Sequence, residues 1–212
     1  MSVIEVKNVV KRWGNNTVLK SVDLEIDRSE IVGIIGHNGS GKTVLMKCIC
    51  GFITPDGGEI TVSGKRIGKD VDIPKNIGLI IETPGFLPNF SGFGNLWQLA
   101  KIRGKISKDD VRAVIKKVGL DPGEKKHVGK YSLGMKQRLG IAQAIMEDPD
   151  ILILDEPMNG LDKNGVEDMR ELLLRLKDDG KAMIIASHNS VDIDVLCDRV
   201  FQIDKGVLTQ VR

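Results

Sequence analysis

No stretch of this sequence stays apolar for long. Its apolar runs, such as Ile151 to Leu154 and Met183 to Ala186, fall far short of the roughly 20 residues a membrane-crossing helix needs, so the chain is not expected to cross a bilayer by itself. An excess of charge is missing too: 31 Lys and Arg stand against 29 Asp and Glu, a net of +2, with no long basic block. Nothing therefore demands a nucleic-acid partner. The opening MSVIEVKNVV carries charged residues in a strand-like alternation and has no apolar core followed by a cleavage site, the pattern of a cytoplasmic protein. Cysteine is scarce. Cys48, Cys50 and Cys197 are an odd number, each in an apolar, helical pattern, and are expected to be buried free thiols, not metal or redox centres. There is no internal repeat, no low-complexity segment and no heptad pattern.

What the chain does have is apolar residue enough, 41% of 212, to bury one sizeable core. Val3 to Val10 and Val18 to Ile26 alternate apolar with polar side chains, the period of half-buried antiparallel strands. Ile31 to Ile35 is apolar throughout, and with Ile151 to Leu154 and Met183 to Ala186 it fits strands buried on both faces of a parallel sheet. Val166, Met169, Leu172, Leu173 and Leu176 recur at helical spacing until Gly180. Buried strands alternating with such helices define a doubly wound α/β core. From about Thr83 to Met146 the pattern is helical, and Ser107 with Asp110 makes a capping box ahead of Val111, Val114, Ile115 and Val118. We expect one domain, 1–212, with a mostly helical subdomain inserted at about 83–146; its Gly- and Pro-rich entry, TPGFLPNFSGFG, reads as a mobile connector. Val200 to Ile203 and Val207 to Val211 flank Asp204-Lys205-Gly206 as a closing hairpin.

Gly36-His37-Asn38-Gly39-Ser40-Gly41-Lys42-Thr43 directly follows the IVGII strand and fits G-x-x-x-x-G-K-[ST]. Its glycines let the backbone wrap a phosphate chain with N–H groups inward. The apolar helix behind it, Val44 to Cys50, turns its positive N-terminus to the same anions. Lys42 is placed to reach the β- and γ-phosphates and the Thr43 hydroxyl to bind Mg²⁺, while His37, at a variable position of the loop, is expected to face solvent. A second motif, Ile151-Leu152-Ile153-Leu154-Asp155-Glu156, ends an apolar strand in two carboxylates at the sheet's carboxyl edge, where α/β proteins place their ligands. Asp155 would hold Mg²⁺ through water, and Glu156 would orient or deprotonate an attacking water, which is hydrolysis and not phosphoryl transfer to a substrate. His188 follows the buried MIIAS strand and can reach a γ-phosphate; alone it would be an ordinary polar residue. Finally, Tyr131-Ser132-Leu133-Gly134-Met135-Lys136-Gln137-Arg138 opens a helix with an apolar stripe of Leu139, Ala142, Ile145 and Met146. A serine hydroxyl and a glycine amide at a helix N-terminus make a second anion site, one more than a monomer with a complete cradle has use for.

This last segment resembles the signature sequence of the ABC (ATP-binding cassette) family, and the resemblance extends over essentially all 212 residues in the family's motif order. It implies a P-loop α/β core, a mostly parallel sheet with flanking helices, an N-terminal antiparallel β subdomain and an inserted helical subdomain. It implies ATP and Mg²⁺ as cofactors and ATP hydrolysis as the reaction. It also implies two cassettes paired head to tail, here a homodimer, with Ser132 and Gly134 of each closing over the ATP held by the other. By the same resemblance Trp13 stacks on adenine and Glu82 stands at the Q-loop position of a metal-associated glutamine. Asn159-Gly160-Leu161-Asp162 form the D-loop, and His188 is the switch histidine. Two positions depart from the family's pattern. Leu133 replaces the commonest form's glycine, leaving Ser132 and Gly134 as donors, and Glu82 adds a negative charge beside the phosphates that should alter metal affinity or turnover.

IIETPGFLPNFSG and YSLGMKQRLGIA are most similar to the bacterial exporters linked to bacitracin resistance and lantibiotic self-protection. The implied function is the ATP-hydrolysing motor of such an exporter, peripheral on the inner face of the cell membrane, with the transmembrane permease a separate chain. The loop around Glu82 and the apolar Phe86, Phe90 and Trp97 are its candidate contacts, unless those three belong to the helical subdomain's own core. The alternatives are a soluble ABC ATPase of DNA repair or the ribosome, and a small-molecule kinase. The first usually carries a long coiled coil or two cassettes in one chain; the second leaves Ser132 to Arg138 and Glu156 unexplained.

Overall fold

The computed structural model describes residues 2–82 and 85–212; Thr83 and Pro84, at the head of the expected connector, lie outside the described residues. Two long antiparallel strands come first, β1 (Ser2–Trp13) and β2 (Asn16–Asp27), as the alternation predicts. Next come β3 (Ile31–Ile35), α1 (Lys42–Ile49), β4 (Gly57–Val62), β5 (Lys65–Arg66) and β6 (Ile77–Ile80). A helical stretch follows, with α2 (Gly92–Arg103), α3 (Lys108–Lys117), a 3-10 turn at Val128–Lys130 and α4 (Leu133–Ile145). The chain closes with β7 (Ile151–Asp155), α5 (Lys163–Asp178), β8 (Ala182–Ala186), α6 (Ser190–Leu196), β9 (Arg199–Asp204) and β10 (Val207–Gln210). Its final hairpin turns on Lys205 and Gly206 alone, both left-handed, the two-residue turn that matches strand twist; Asp204 ends β9 and is not part of the turn.

The strands form two sheets. One is antiparallel, in the order β2-β1-β4-β5; the other has the order β10-β9-β3-β8-β7-β6 and is parallel throughout except for β10. Successive side chains of a strand point to opposite faces, and here this sorts the core into two layers. Ile31, Leu152, Leu154, Met183 and Ile185 share one layer with Leu139, Ala142, Met169, Leu172 and Leu196 of the helices. Val32, Ile34, Ile151, Ile153 and Ile184 share the other with Leu45, Met46 and Ile49 of α1 and with Ile4, Val6, Leu24 and Ile26 of the antiparallel sheet. Helices or strands cover both faces, so the central strands tolerate no polar side chain until they end. That is why IVGII, ILIL and MIIA are apolar and why the chemistry begins at the residues just past them.

The edge strand β6 has no clear signal in the sequence, being four residues long with a glycine second. Gly78 is there for packing: a Cβ would stand 1.9 Å from the Ala144 carbonyl oxygen, so only glycine lets α4 lie against this edge. Leu96, Ala100, Val111, Val114 and Ile115 bury the helices between β6 and β7 against α4 and its neighbours, and Ser107 with Asp110 closes both bonds of the expected capping box. Phe86 and Trp97 pack partly buried on this core, whereas Phe90 and Leu87 are exposed. All three cysteines are buried free thiols, and burial pushes Cys48 up to about 11 and Cys50 and Cys197 up to about 12, which suppresses thiolate chemistry at neutral pH. Among the described residues no helix is long and apolar enough to cross a membrane.

Candidate active site

Where β3 ends, the chain turns sharply through Gly36, Gly39 and Gly41, all with positive φ. At Gly36 the need for glycine is also steric, since a Cβ would lie 2.4 Å from the Ile203 carbonyl oxygen and 2.7 Å from Ser40 Oγ. The helix that follows is unlike the others. Each of α2 to α6 has a capping side chain, Ser91, Ser107, Ser132, Asp162 and Asn189 respectively, accepting from an amide of its own first turn. By contrast α1 starts on Gly41 with no side-chain cap. Its leading N–H groups are left for an external anion, and the helix dipole favours the same charge. Lys42 is only 9% exposed, and its Nζ donates to the carbonyl oxygens of Gly36 at 2.7 Å and His37 at 3.2 Å. Ser40 Oγ is buried with no hydrogen-bond partner. An orphaned hydroxyl among free amides fits a phosphate chain, whose oxygens would satisfy both.

At its carboxyl end β7 delivers Asp155 and Glu156. Thr43 Oγ1 donates to Asp155 Oδ2 at 3.0 Å. Burial pushes the Asp155 carboxyl above its ordinary value, the Thr43 hydrogen bond works against this, and the charge of Glu156 adds to it. Among the described residues no group of three or more His, Cys, Asp or Glu could hold a metal by itself. The Thr43 and Asp155 oxygens are nonetheless hard donors of the kind Mg²⁺ takes when waters and substrate phosphates supply the rest. Glu156 adopts φ 50, an uncommon choice for a residue other than glycine, while its N–H still donates to the Ala186 carbonyl at 2.8 Å. The chain thus leaves the sheet at this carboxylate, and Glu156 Oε2 lies 2.9 Å from Nδ1 of the exposed His188.

One cavity of about 610 Å³ collects Trp13, Asn38, Gly39, Gly41, Lys42, Thr43, Glu82, Asp155 and Glu156. Its volume is that of a small-molecule site. Gly36, His37 and His188 line a neighbouring hollow of about 480 Å³ beside β9 and α6, and His37 is exposed, as expected of its place in the loop. Trp13 stands half-exposed at the cavity, with Lys11 Nζ 6.0 Å from its ring centre. Glu82 also has φ 63, and its Oε1 pairs at 2.6 Å with Lys47 Nζ in the last turn of α1. Ser132 and Gly134 line neither space. Ser132 is exposed and caps α4, its Oγ accepting from the Met135 amide at 3.2 Å.

Val44 of the apolar helix, Leu133 and Gln137 of the Tyr131 to Arg138 motif and Asn159 of the expected D-loop complete the cavity wall, together with Asn16 and Val18, which carry no functional signal in the sequence. Gln137 is the most informative of them, 8% exposed, with Nε2 donating to the carbonyls of Glu156 at 3.1 Å and Pro157 at 2.9 Å. Besides its place in the Tyr131 to Arg138 motif, its trace in the sequence is a polar residue a single turn before Ile141, on the buried face of α4.

Together these elements can grip a nucleoside triphosphate by its phosphates and present a base to water beside the last of them, the work of a P-loop nucleotide hydrolase. Comparison with known proteins narrows this class. Residues 19–159 match the family model described as ABC transporter, and the chain belongs to that family: it is an ATP-binding cassette that hydrolyses ATP. It is 44% identical over 206 residues to an uncharacterized ABC transporter ATP-binding protein of Bacillus subtilis, YybJ, covering 97% of this chain and 94% of that one. It is similar to the bacitracin transport ATP-binding protein BcrA of Enterococcus faecalis, 40% identical over 210 residues, 98% of this chain and 68% of the other. To the lantibiotic transport ATP-binding protein SrtF of Streptococcus pyogenes it is 35% identical over 204 residues, with 96% and 88% covered. A solved structure of the ATP-binding subunit of an ABC transporter matches with a TM-score of 0.87 at 26% identity, covering 99% of this chain and 90% of that chain. The resemblance first met in Ser132 to Arg138 therefore holds along the chain.

Proposed function

We propose that this chain is the peripheral motor of an exporter of peptide antibiotics or drugs, acting on the inner face of the cell membrane against a permease on a separate chain. In this reading residues 1–212 are one domain, with a helical subdomain at about 83–146, and two copies pair head to tail around two molecules of ATP. The observation that carries it is the separation of the anion-binding groups. Lys42, Thr43, Asp155 and Glu156 line the cavity, whereas at the α4 N-terminus Leu133 alone reaches its wall and the donors Ser132 and Gly134 do not. Because Ser132 Oγ accepts from its own helix, its hydroxyl proton stays available for an anion presented from another molecule. A second copy turned head to tail supplies that anion. The names of BcrA and SrtF support the cargo class, and the exposed Leu87 and Phe90 offer the permease an apolar contact.

The geometry supports the following catalytic roles. Trp13 stacks on the base, and the Gly36 to Thr43 backbone with Lys42 holds the phosphates. Thr43 and Asp155, with Glu82 on the same cavity wall, would hold Mg²⁺, which would offset charge on the phosphates. Glu156 takes the proton of a water as that water's oxygen bonds to the γ-phosphorus and the bond to ADP breaks. His188, 2.9 Å away, keeps the carboxylate in line. The deciding experiment is affinity capture of the tagged chain from native membranes. An integral membrane protein should accompany it; recovery with ribosomes or DNA, or alone, would overturn the transport reading.

A further inference from the structure

The left-handed turn at Glu156 is held from outside its own strand. Asn159 donates to the Glu156 carbonyl at 3.1 Å, and the other two bonds come from one side chain, Gln137, to the carbonyls of Glu156 and Pro157. Buried carbonyls need such partners, and a buried neutral amide supplies two without adding charge beside a triphosphate. The same helix meets the same loop a second time. A Cβ at Gly160 would stand 2.4 Å from Leu133 Cγ, and one at Gly134 would stand 2.8 Å from the Gly160 carbonyl oxygen, so the first turn of α4 is seated directly on Gly160. Leu139, Ile141 and Ala142 then fix the rest of α4 in the core. A helix fixed this way moves as a rod, and Ser132 and Gln137 are about 7.5 Å apart along it at 1.5 Å per residue.

We infer that Gln137 is a positioning residue for hydrolysis: it sets the turn that aims Glu156, and by standing on α4 it links that carboxylate to the helix end that meets the partner's nucleotide. The inference rests on the head-to-tail pairing proposed above. It gives each cavity a mechanical report of whether the other is filled, since a shift of α4 toward the partner's phosphates is felt at the Glu156 and Pro157 carbonyls.

Two substitutions test it. Gln137→Glu keeps the shape but removes the donor, and Gln137→Asn keeps the donor but withdraws it by one carbon–carbon bond. Rates are normalised to sites titrated with a fluorescent ATP analogue, so loss of folded protein does not count as loss of turnover. Both variants are expected to lose about ten- to a hundredfold in kcat, the scale for misplacing a reacting group by about 1 Å, and Gln137→Asn, which adds no charge to the cavity wall, is expected to keep KM for ATP within about twofold. Each is also combined with Glu156→Gln and examined by light scattering, and ATP-dependent dimers should form as readily as with Glu156→Gln alone. An unchanged kcat in Gln137→Asn would overturn the inference. So would dimers lost only in the combined variants, because Gln137 would then serve the α4 face and not the carboxylate. If Glu156→Gln alone forms no dimer, the pairing fails instead, and the kcat of the single variants still judges the positioning of Glu156.

Discussion

Glu156→Gln removes a charge and a proton acceptor while scarcely changing volume. The amide oxygen can replace Oε2 opposite His188 Nδ1, 2.9 Å away in the wild type. The bonds from Gln137 and Asn159 end on the backbone carbonyl, which the substitution leaves in place. The loss should therefore fall on proton transfer alone. A general base contributes about 10²- to 10⁴-fold, or about 2.7–5.4 kcal/mol at 1.36 kcal/mol per decade, and phosphate release should slow by that factor. Nucleotide binding should not weaken: a negative charge leaves the neighbourhood of the phosphates, the same charge that helps to push the Asp155 carboxyl up. With binding kept and hydrolysis stopped, light scattering at saturating ATP and Mg²⁺ should give the mass of a dimer, and the nucleotide-free chain that of a monomer. A rate within tenfold of wild type would remove Glu156 as the base. A slow but strictly monomeric variant would refute the shared site.

Asp155→Asn should separate stability from function. Burial raises the Asp155 carboxyl in the fold, so the folded chain holds that proton more tightly than the unfolded one, and ionisation destabilises the nucleotide-free fold. That cost is absent below the ordinary carboxylate range, grows as pH rises to the raised value and is complete at neutral pH. The variant should therefore melt higher than wild type at pH 7, with the gain shrinking toward pH 4, while Mg²⁺-dependent hydrolysis is lost; a melting temperature at pH 7 no higher than wild type's would contradict the burial argument. Trp13→Ala removes a half-exposed ring at the cavity. Base stacking on an aromatic side chain is worth roughly 1–3 kcal/mol, and at the low end of that range KM for ATP should rise about fivefold with kcat unchanged, whereas an unaltered KM would show that the ring does not meet the base.

The legible parts of this protein are those in which one short segment carries its whole physical reason. IVGII, ILIL and MIIA are strands because both faces are covered, and each announces it by having no polar residue. The phosphate loop is written in contiguous residues, as is the capping box at Ser107. What the sequence conceals is whatever two distant segments decide together. The β6 strand exists because Gly78 admits the Ala144 carbonyl, and the link from Gln137 to Glu156 spans two elements that only the sheet and α4 bring together. Nor could the three aromatics Phe86, Phe90 and Trp97 be sorted by pattern, since Phe86 and Trp97 pack on the core and Phe90 does not.

Glu82 shows why a departure from a family's pattern is best weighed with its surroundings. A carboxylate in place of an amide would oppose the phosphates if it stood alone, yet Lys47 Nζ lies 2.6 Å from its Oε1. Lys47 belongs to α1, the helix whose N-terminus carries the phosphate loop, about 7.5 Å along the axis from Lys42 at 1.5 Å per residue. The added anion thus comes with a cation on the element nearest the ligand. The offset is partial, because Glu82 remains among the charges that raise the Asp155 carboxyl, the last and smallest of them. It is also loose. The Glu82 side chain is 65% exposed, and an exposed pair of this kind contributes only about 0–1 kcal/mol. A carboxylate held so weakly can leave its lysine for a metal ion at little cost, and its full charge would draw that ion more strongly than the dipole of an amide at the same position.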